Sequence, residues 1–71
     1  MALMKITVNG GIQEINEGAT LACALDLFSP YGDEATIARV NGTPHKSVDE
    51  TDKISLHEGD VIDIYPLVIG G

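Results

Sequence analysis

The stretch Met4-Lys5-Ile6-Thr7-Val8-Asn9-Gly10 lies near the start of a 71-residue chain, and its reading decides the fold. Met4, Ile6 and Val8 alternate with Lys5 and Thr7, and period-2 alternation places every second side chain on one face of a strand. Asn9-Gly10 suits a two-residue type I′ turn, because both central residues of that turn need positive φ. Ile12 and Ile15 mark the returning strand, with Gly11 expected as a bulge at its start. The chain therefore opens with a β-hairpin that buries one face.

After the hairpin the period changes. Leu21, Ala24, Leu25 and Phe28 recur at helical spacing, and Thr20, following Glu17-Gly18-Ala19, is placed to cap a helix N-terminus. The helix should stop near Phe28, since Pro30 pushes its predecessor out of the α region and Gly32 lies in a turn-rich segment. Cys23 falls on or beside the buried stripe of that helix, and is read as a small buried hydrophobe rather than a reactive thiol.

Thr36 through Val40 reads as a strand with Ile37 and Arg39 on one face and Ala38 and Val40 on the other, closed by a second pair, Asn41-Gly42. Thr43 through Val48 follows as a short edge strand, because Pro44 has no N–H for a ladder. Asp49-Glu50-Thr51-Asp52 is expected to be a solvated acidic turn, with Ile54 and Leu56 filling the base of the core. Glu58-Gly59-Asp60 turns into a last strand, Val61 to Tyr65, and the chain leaves it through Pro66. One helix among five strands in this order predicts a single α+β domain over residues 1–71.

Composition narrows the function. A 71-residue domain has a small core, worth only about 3–5 kcal/mol of net stability, and little room for a substrate cleft. Four Lys and Arg against eleven Asp and Glu give a net charge of −7, which repels nucleic acid and anionic lipid and favours a basic protein surface as partner. A single cysteine forms no internal disulfide and supplies no metal cluster. No signal-peptide pattern and no run near the ~18 apolar residues of a membrane span is read, so a cytoplasmic location is expected. His45 and His57 have no partner at triad or metal spacing and read as exposed polar residues. The acidic residues fall mainly in turns and read as solvated surface.

The end of the chain is the feature that points to chemistry. Leu67-Val68-Ile69 is followed by Gly70-Gly71, and glycine, lacking a Cβ, tolerates close approach by another molecule. A Gly-Gly end on an apolar segment can thread a narrow channel and deliver its own carboxylate to another protein's active site.

The opening Met4–Gly10 segment, the Glu17-Gly18-Ala19-Thr20-Leu21 helix entry, Val40-Asn41-Gly42, Glu58-Gly59-Asp60-Val61-Ile62 and the closing Gly70-Gly71 together resemble the ThiS/MoaD family of ubiquitin-like sulfur carriers. The resemblance covers nearly the whole chain. It implies an α+β, ubiquitin-like β-grasp fold: a small mixed sheet with one main helix packed on one face, the first and last strands side by side, and a flexible tail over residues 66–71. The compact length and the two short Asn-Gly hairpins are closer to ThiS, whereas Tyr65-Pro66 resembles the aromatic and proline residues that precede the MoaD diglycine.

By the same resemblance, the chain has no catalytic residue, metal or bound cofactor of its own, and acts as a protein cosubstrate through Gly71. A free carboxylate is anionic at neutral pH and resists nucleophiles. An E1-like enzyme would adenylate it with ATP, and a sulfur donor such as a cysteine desulfurase would convert the acyl-adenylate to a thiocarboxylate. A downstream synthase such as thiazole synthase would take the sulfur. Other readings are a carrier for molybdopterin, cysteine or homocysteine, or a natural product; a ubiquitin-like modifier joined to lysine amines; and a plain interaction domain. The docking surface is expected from Tyr65 and Leu67, continuing into Val68 and Ile69, because alternation turns Ile62 and Ile64 inward and leaves Asp63, Tyr65 and Leu67 on the other side.

Overall fold

The computed structural model describes residues 2–31, 35–46 and 50–67. The elements are β1 (Leu3–Val8), β2 (Gly11–Asn16), α1 (Leu21–Phe28), β3 (Thr36–Val40), β4 (Thr43–Lys46) and β5 (Val61–Pro66), with one turn of 3-10 helix at Thr51–Lys53. They form a five-stranded mixed sheet in the order β2-β1-β5-β3-β4. The first and last strands are neighbours and run parallel, with Thr7 beside Val61 and Val8 beside Ile62, as the resemblance implied.

Both Asn-Gly turns take the conformation their residues favour, with φ of 49° and 84° at Asn9 and Gly10 and 52° and 91° at Asn41 and Gly42. The β1–β2 ladder runs one residue to one residue from Leu3↔Asn16 to Val8↔Gly11, so Gly11 is a regular strand residue and the expected bulge is absent. A two-residue I′ turn already matches the strand twist, which leaves no extra residue to accommodate.

Met4, Ile6 and Val8 of β1, Ile15 of β2, Ala38 of β3 and Ile62 and Ile64 of β5 are buried on one face of the sheet. Leu21 and Ala24 of α1 and Leu56 close over them, with Leu25, Phe28, Val40 and Ile54 packed around. An eight-residue helix is too short to hold itself in water, so α1 is stabilised by this burial and by its ends. Two of its N-terminal donors are met outside the helix: Thr20 Oγ1 accepts from Cys23 N–H, and the Ile54 carbonyl accepts from Leu21 N–H at 2.8 Å. Near the acidic turn, Thr51 is buried rather than solvated, because the 3-10 turn it begins packs beside α1; Glu50 and Asp52 stay exposed. The expected edge strand is β4, and its last expected residues, Ser47 and Val48, lie outside the described residues.

The central strand is gripped from both sides. Towards β1, Gly59 N–H donates to the Lys5 carbonyl, Thr7 N–H to the Asp60 carbonyl and Asn9 N–H to the Ile62 carbonyl, at 2.8–2.9 Å. Where β1 turns away at Asn9, its side chain continues the ladder and Oδ1 accepts from Ile64 N–H at 2.7 Å. Towards β3, Asn41 N–H donates to the Val61 carbonyl at 2.8 Å while its Oδ1 accepts from Val61 N–H at 2.9 Å. Each turn asparagine thus supplies both a left-handed residue and a grip on β5.

Replacing Asn9 separates those two roles. Asn9→Gly keeps the turn and leaves the Ile64 donor unmet, and should cost about 1–2 kcal/mol. Asn9→Ala adds the strain of a left-handed alanine and should cost about 2–3 kcal/mol. Urea unfolding midpoints at unchanged slope check this order, and equal stability of wild type and Asn9→Gly would refute the grip.

Candidate functional site

The helix covers one face of the sheet and leaves the other open. Val61, Asp63 and Tyr65 of β5 point to the open face between the inward Ile62 and Ile64, with Tyr65 45% exposed and Asp63 half-buried. Tyr65 lies opposite Ile37 of β3, which lies opposite Lys46 of β4; the next row on that face is Asp63, Arg39 and Pro44. On the far side of β5, Val61 lies beside Thr7, which lies opposite Ile12, 72% exposed. The open face is therefore an apolar and charged mosaic centred on the strand that leads to the chain end.

Pro66 is the last residue of β5, paired with Thr36, and Leu67 N–H donates to the Ala35 carbonyl at 3.0 Å. The strand thus holds the first two residues expected in a tail over 66–71. Leu67 is half-buried against this strand end. Val68, Ile69, Gly70 and Gly71, four of the six residues to which the sequence assigns function, lie outside the described residues.

Two carboxylates read as solvated surface are structural. Asp60 accepts from His57 N–H at 2.8 Å and from Asn41 Nδ2 at 3.0 Å, with its side chain only 13% exposed. Glu58 Oε2 accepts from Lys5 N–H, in line with the β1–β5 ladder. They order the turn that feeds β5; the His57 contact is local, but the Asn41 and Lys5 contacts, 19 and 53 positions away, are invisible in sequence. His57 is exposed, and the same turn brings its Nδ1 to 4.0 Å from Asp60 Oδ2, a carboxylate neighbour that sequence spacing did not suggest. Among the described residues, no three His, Cys, Asp or Glu side chains gather in a way that could hold a metal ion, and no helix is long and apolar enough to cross a membrane.

Cys23 is exposed, contrary to the buried reading. At 3.6 residues per turn it sits about 200° round the helix from Leu21, on the back of the stripe that Leu21, Ala24, Leu25 and Phe28 form. The Thr20 side-chain hydrogen bond, with Oγ1 3.5 Å from Sγ, lowers the thiol's pKa below its ordinary value.

No protein-family model matches the chain and no curated protein sequence matches it. Among solved structures, the crystal structure of the thiamine biosynthesis protein ThiS from Geobacter metallireducens matches with a TM-score of 0.78, over 96% of this chain and 100% of that one, at 21% sequence identity. The fold is the ThiS β-grasp. In the ThiS-like frame, the α+β architecture expected from the hairpins and the single helix is present throughout, while the identity is low enough that the match speaks for the backbone rather than for any side chain. Asn9 and Asn41, which set the position of the ThiS-like terminal strand, carry no signal in the sequence beyond ordinary turn chemistry.

Exposure makes Cys23 accessible to a thiol reagent in the folded protein. Its labelling rate should follow the thiolate fraction, which a lowered pKa raises at neutral pH. Thr20→Val removes the lowering hydrogen bond, so the rate–pH profile should move to higher pH and labelling at pH 7 should slow. Protection of Cys23 until global unfolding would contradict the exposed position.

Proposed function

We propose that this chain is a sulfur carrier protein that works through a thiocarboxylate on Gly71, with the thiamin thiazole as its favoured destination. The observation that carries the reading is the conjunction of a ThiS-like β-grasp with the sequence that follows its terminal strand, Val68-Ile69-Gly70-Gly71. A fully extended stretch of four residues spans at most about 14 Å, enough for a chain end to enter a partner's site while the sheet remains outside.

The chemistry balances without a catalytic group on this chain. A carboxylate oxygen of Gly71 attacks the α-phosphorus of ATP on an E1-like enzyme, displacing pyrophosphate and forming an acyl-adenylate. A persulfide carried by a cysteine desulfurase or similar donor adds through its outer sulfur to the acyl carbon and expels AMP, and a thiol then attacks the donor's inner sulfur, forming a disulfide with it and releasing the thiocarboxylate. The thiocarboxylate then gives its sulfur to an acceptor such as thiazole synthase, and hydrolysis restores the carboxylate. ATP is bound and used by the enzyme, so the carrier is a cosubstrate acting in the cytoplasm. Its contribution is to present an unbranched end and a docking face, for which Tyr65 and Leu67 are the proposed anchors, with Val68 and Ile69 extending the contact.

Reconstitution from purified adenylating enzyme, sulfur donor and ATP tests the reading by intact mass. Exchange of one oxygen for sulfur supports it. An isopeptide adduct would point instead to a protein modifier, and an unchanged mass to an interaction domain. Deleting Gly71, or appending a residue after it, should abolish adenylation while leaving the unfolding midpoint unchanged, and adenylation of either variant at the wild-type rate would remove Gly71 from the mechanism. Tyr65→Ala should fold normally and lose about 2 kcal/mol of affinity for the adenylating enzyme, as for an aromatic anchor.

A further inference from the structure

Among the described residues, the strands' open face carries a charge opposite to that of the molecule. Of the four cations in the chain, Lys5, Arg39 and Lys46 occupy open-face positions on β1, β3 and β4, and among the described residues the strands place two acids, Glu14 and Asp63, on the same face. The remaining cation, Lys53, lies outside the sheet and is paired with Glu50 at 3.3 Å. Among the described residues, no ion pair joins Arg39 or Lys46 to a carboxylate, although Arg39 stands directly opposite Asp63 in the ladder. Lys46 and Arg39 are diagonal neighbours on adjacent strands, a spacing of about 7–8 Å, and flank the Tyr65–Ile37 pair.

We propose that the open face of β3, β4 and β5 docks an acidic segment of the partner protein, with Arg39 and Lys46 meeting its carboxylates around an apolar centre of Tyr65 and Ile37. Complementary charge at an interface steers encounter and sets register. The net charge of −7 sets the remainder of the surface against polyanions, so the face suits a short acidic patch on a protein rather than nucleic acid. Tyr65 precedes Gly71 by six residues in the sequence, and the face is centred on the strand that leads toward that end. The inference rests on the sulfur-carrier reading, which names the adenylating enzyme as that partner, and it replaces the basic partner surface expected from net charge.

The test is the affinity and association rate of the full chain for the adenylating enzyme of the same organism, at low and high salt. Arg39→Glu with Lys46→Glu should weaken binding about tenfold or more and flatten its salt dependence. Lys53→Glu, an equal change per site beside α1, should alter it less than about twofold. The neutral pair Arg39→Gln with Lys46→Gln, checked by thermal unfolding, should give an intermediate loss in a folded protein. Wild-type affinity in the reversed pair, tighter binding by it, or an equal loss from Lys53→Glu each overturns the proposal. So does a wild-type dimer in sedimentation that the reversed pair abolishes, which would make a second copy the occupant. A wild-type chain that the enzyme neither binds nor adenylates overturns the carrier reading and this inference with it; one that is thiocarboxylated, with variants that bind unchanged, overturns this inference alone.

Discussion

The structure depends on how β5 is held. It is the central strand of five, parallel to β1 and antiparallel to β3, and its hydrogen bonds on both sides are completed by the asparagine side chains of the two hairpin turns. Side chains on a strand alternate faces, so a slip of one residue would send Ile62 and Ile64 into water and Val61, Asp63 and Tyr65 into the core. Asn9 fixes β5 against β1 and Asn41 fixes it against β3, through donors at Ile64 and Val61 that an apolar turn residue would leave unmet. The Glu58 and Asp60 carboxylates order the approach to the strand in the same way. The register that closes the core is thus the register that presents the open face.

A two-layer domain of this size has one helix to spend on one face. The other face stays in water, and a strand pattern that is apolar inward has to be tolerable outward. Here it carries Ile12, Val61, Ile37 and Tyr65 interspersed with Lys5, Arg39, Lys46, Glu14 and Asp63, which breaks up the apolar area while leaving surface that a partner can cover. No cleft is needed for the proposed role. In that role the nucleotide site and the activating groups would belong to another enzyme, and a small sheet would have only to place a chain end and be recognised.

How much of this was legible in the residues differs by the range of the interaction. Alternation in Met4–Val8, helical spacing from Leu21 to Phe28 and the two Asn-Gly pairs are local signals, and the elements they predict are all present. The inward Ile62 and Ile64 and the exposed Tyr65 follow from the same alternation. The exposure of Cys23 follows from helical phase: the stripe of Leu21, Ala24, Leu25 and Phe28 turns it to the back of the helix. Gly11 is a ladder residue rather than a bulge because glycine beside a turn has more than one use, and the pairing partner decides which.

The sequence by itself determined the element types, the hairpin turns, the buried stripe and the Gly70-Gly71 end, because each depends on residues within a few positions of one another. Only the tertiary structure decided that Asn9 holds Ile64, that Glu58 caps Lys5, that Asp60 binds the side chain of Asn41, and that Arg39 and Lys46 gather beside Tyr65. Those contacts arise when a parallel crossover brings the last strand between the first and third, joining residues 19 to 55 positions apart for the bonded pairs. No local propensity encodes such a meeting, since it is the folded sheet that makes these residues neighbours.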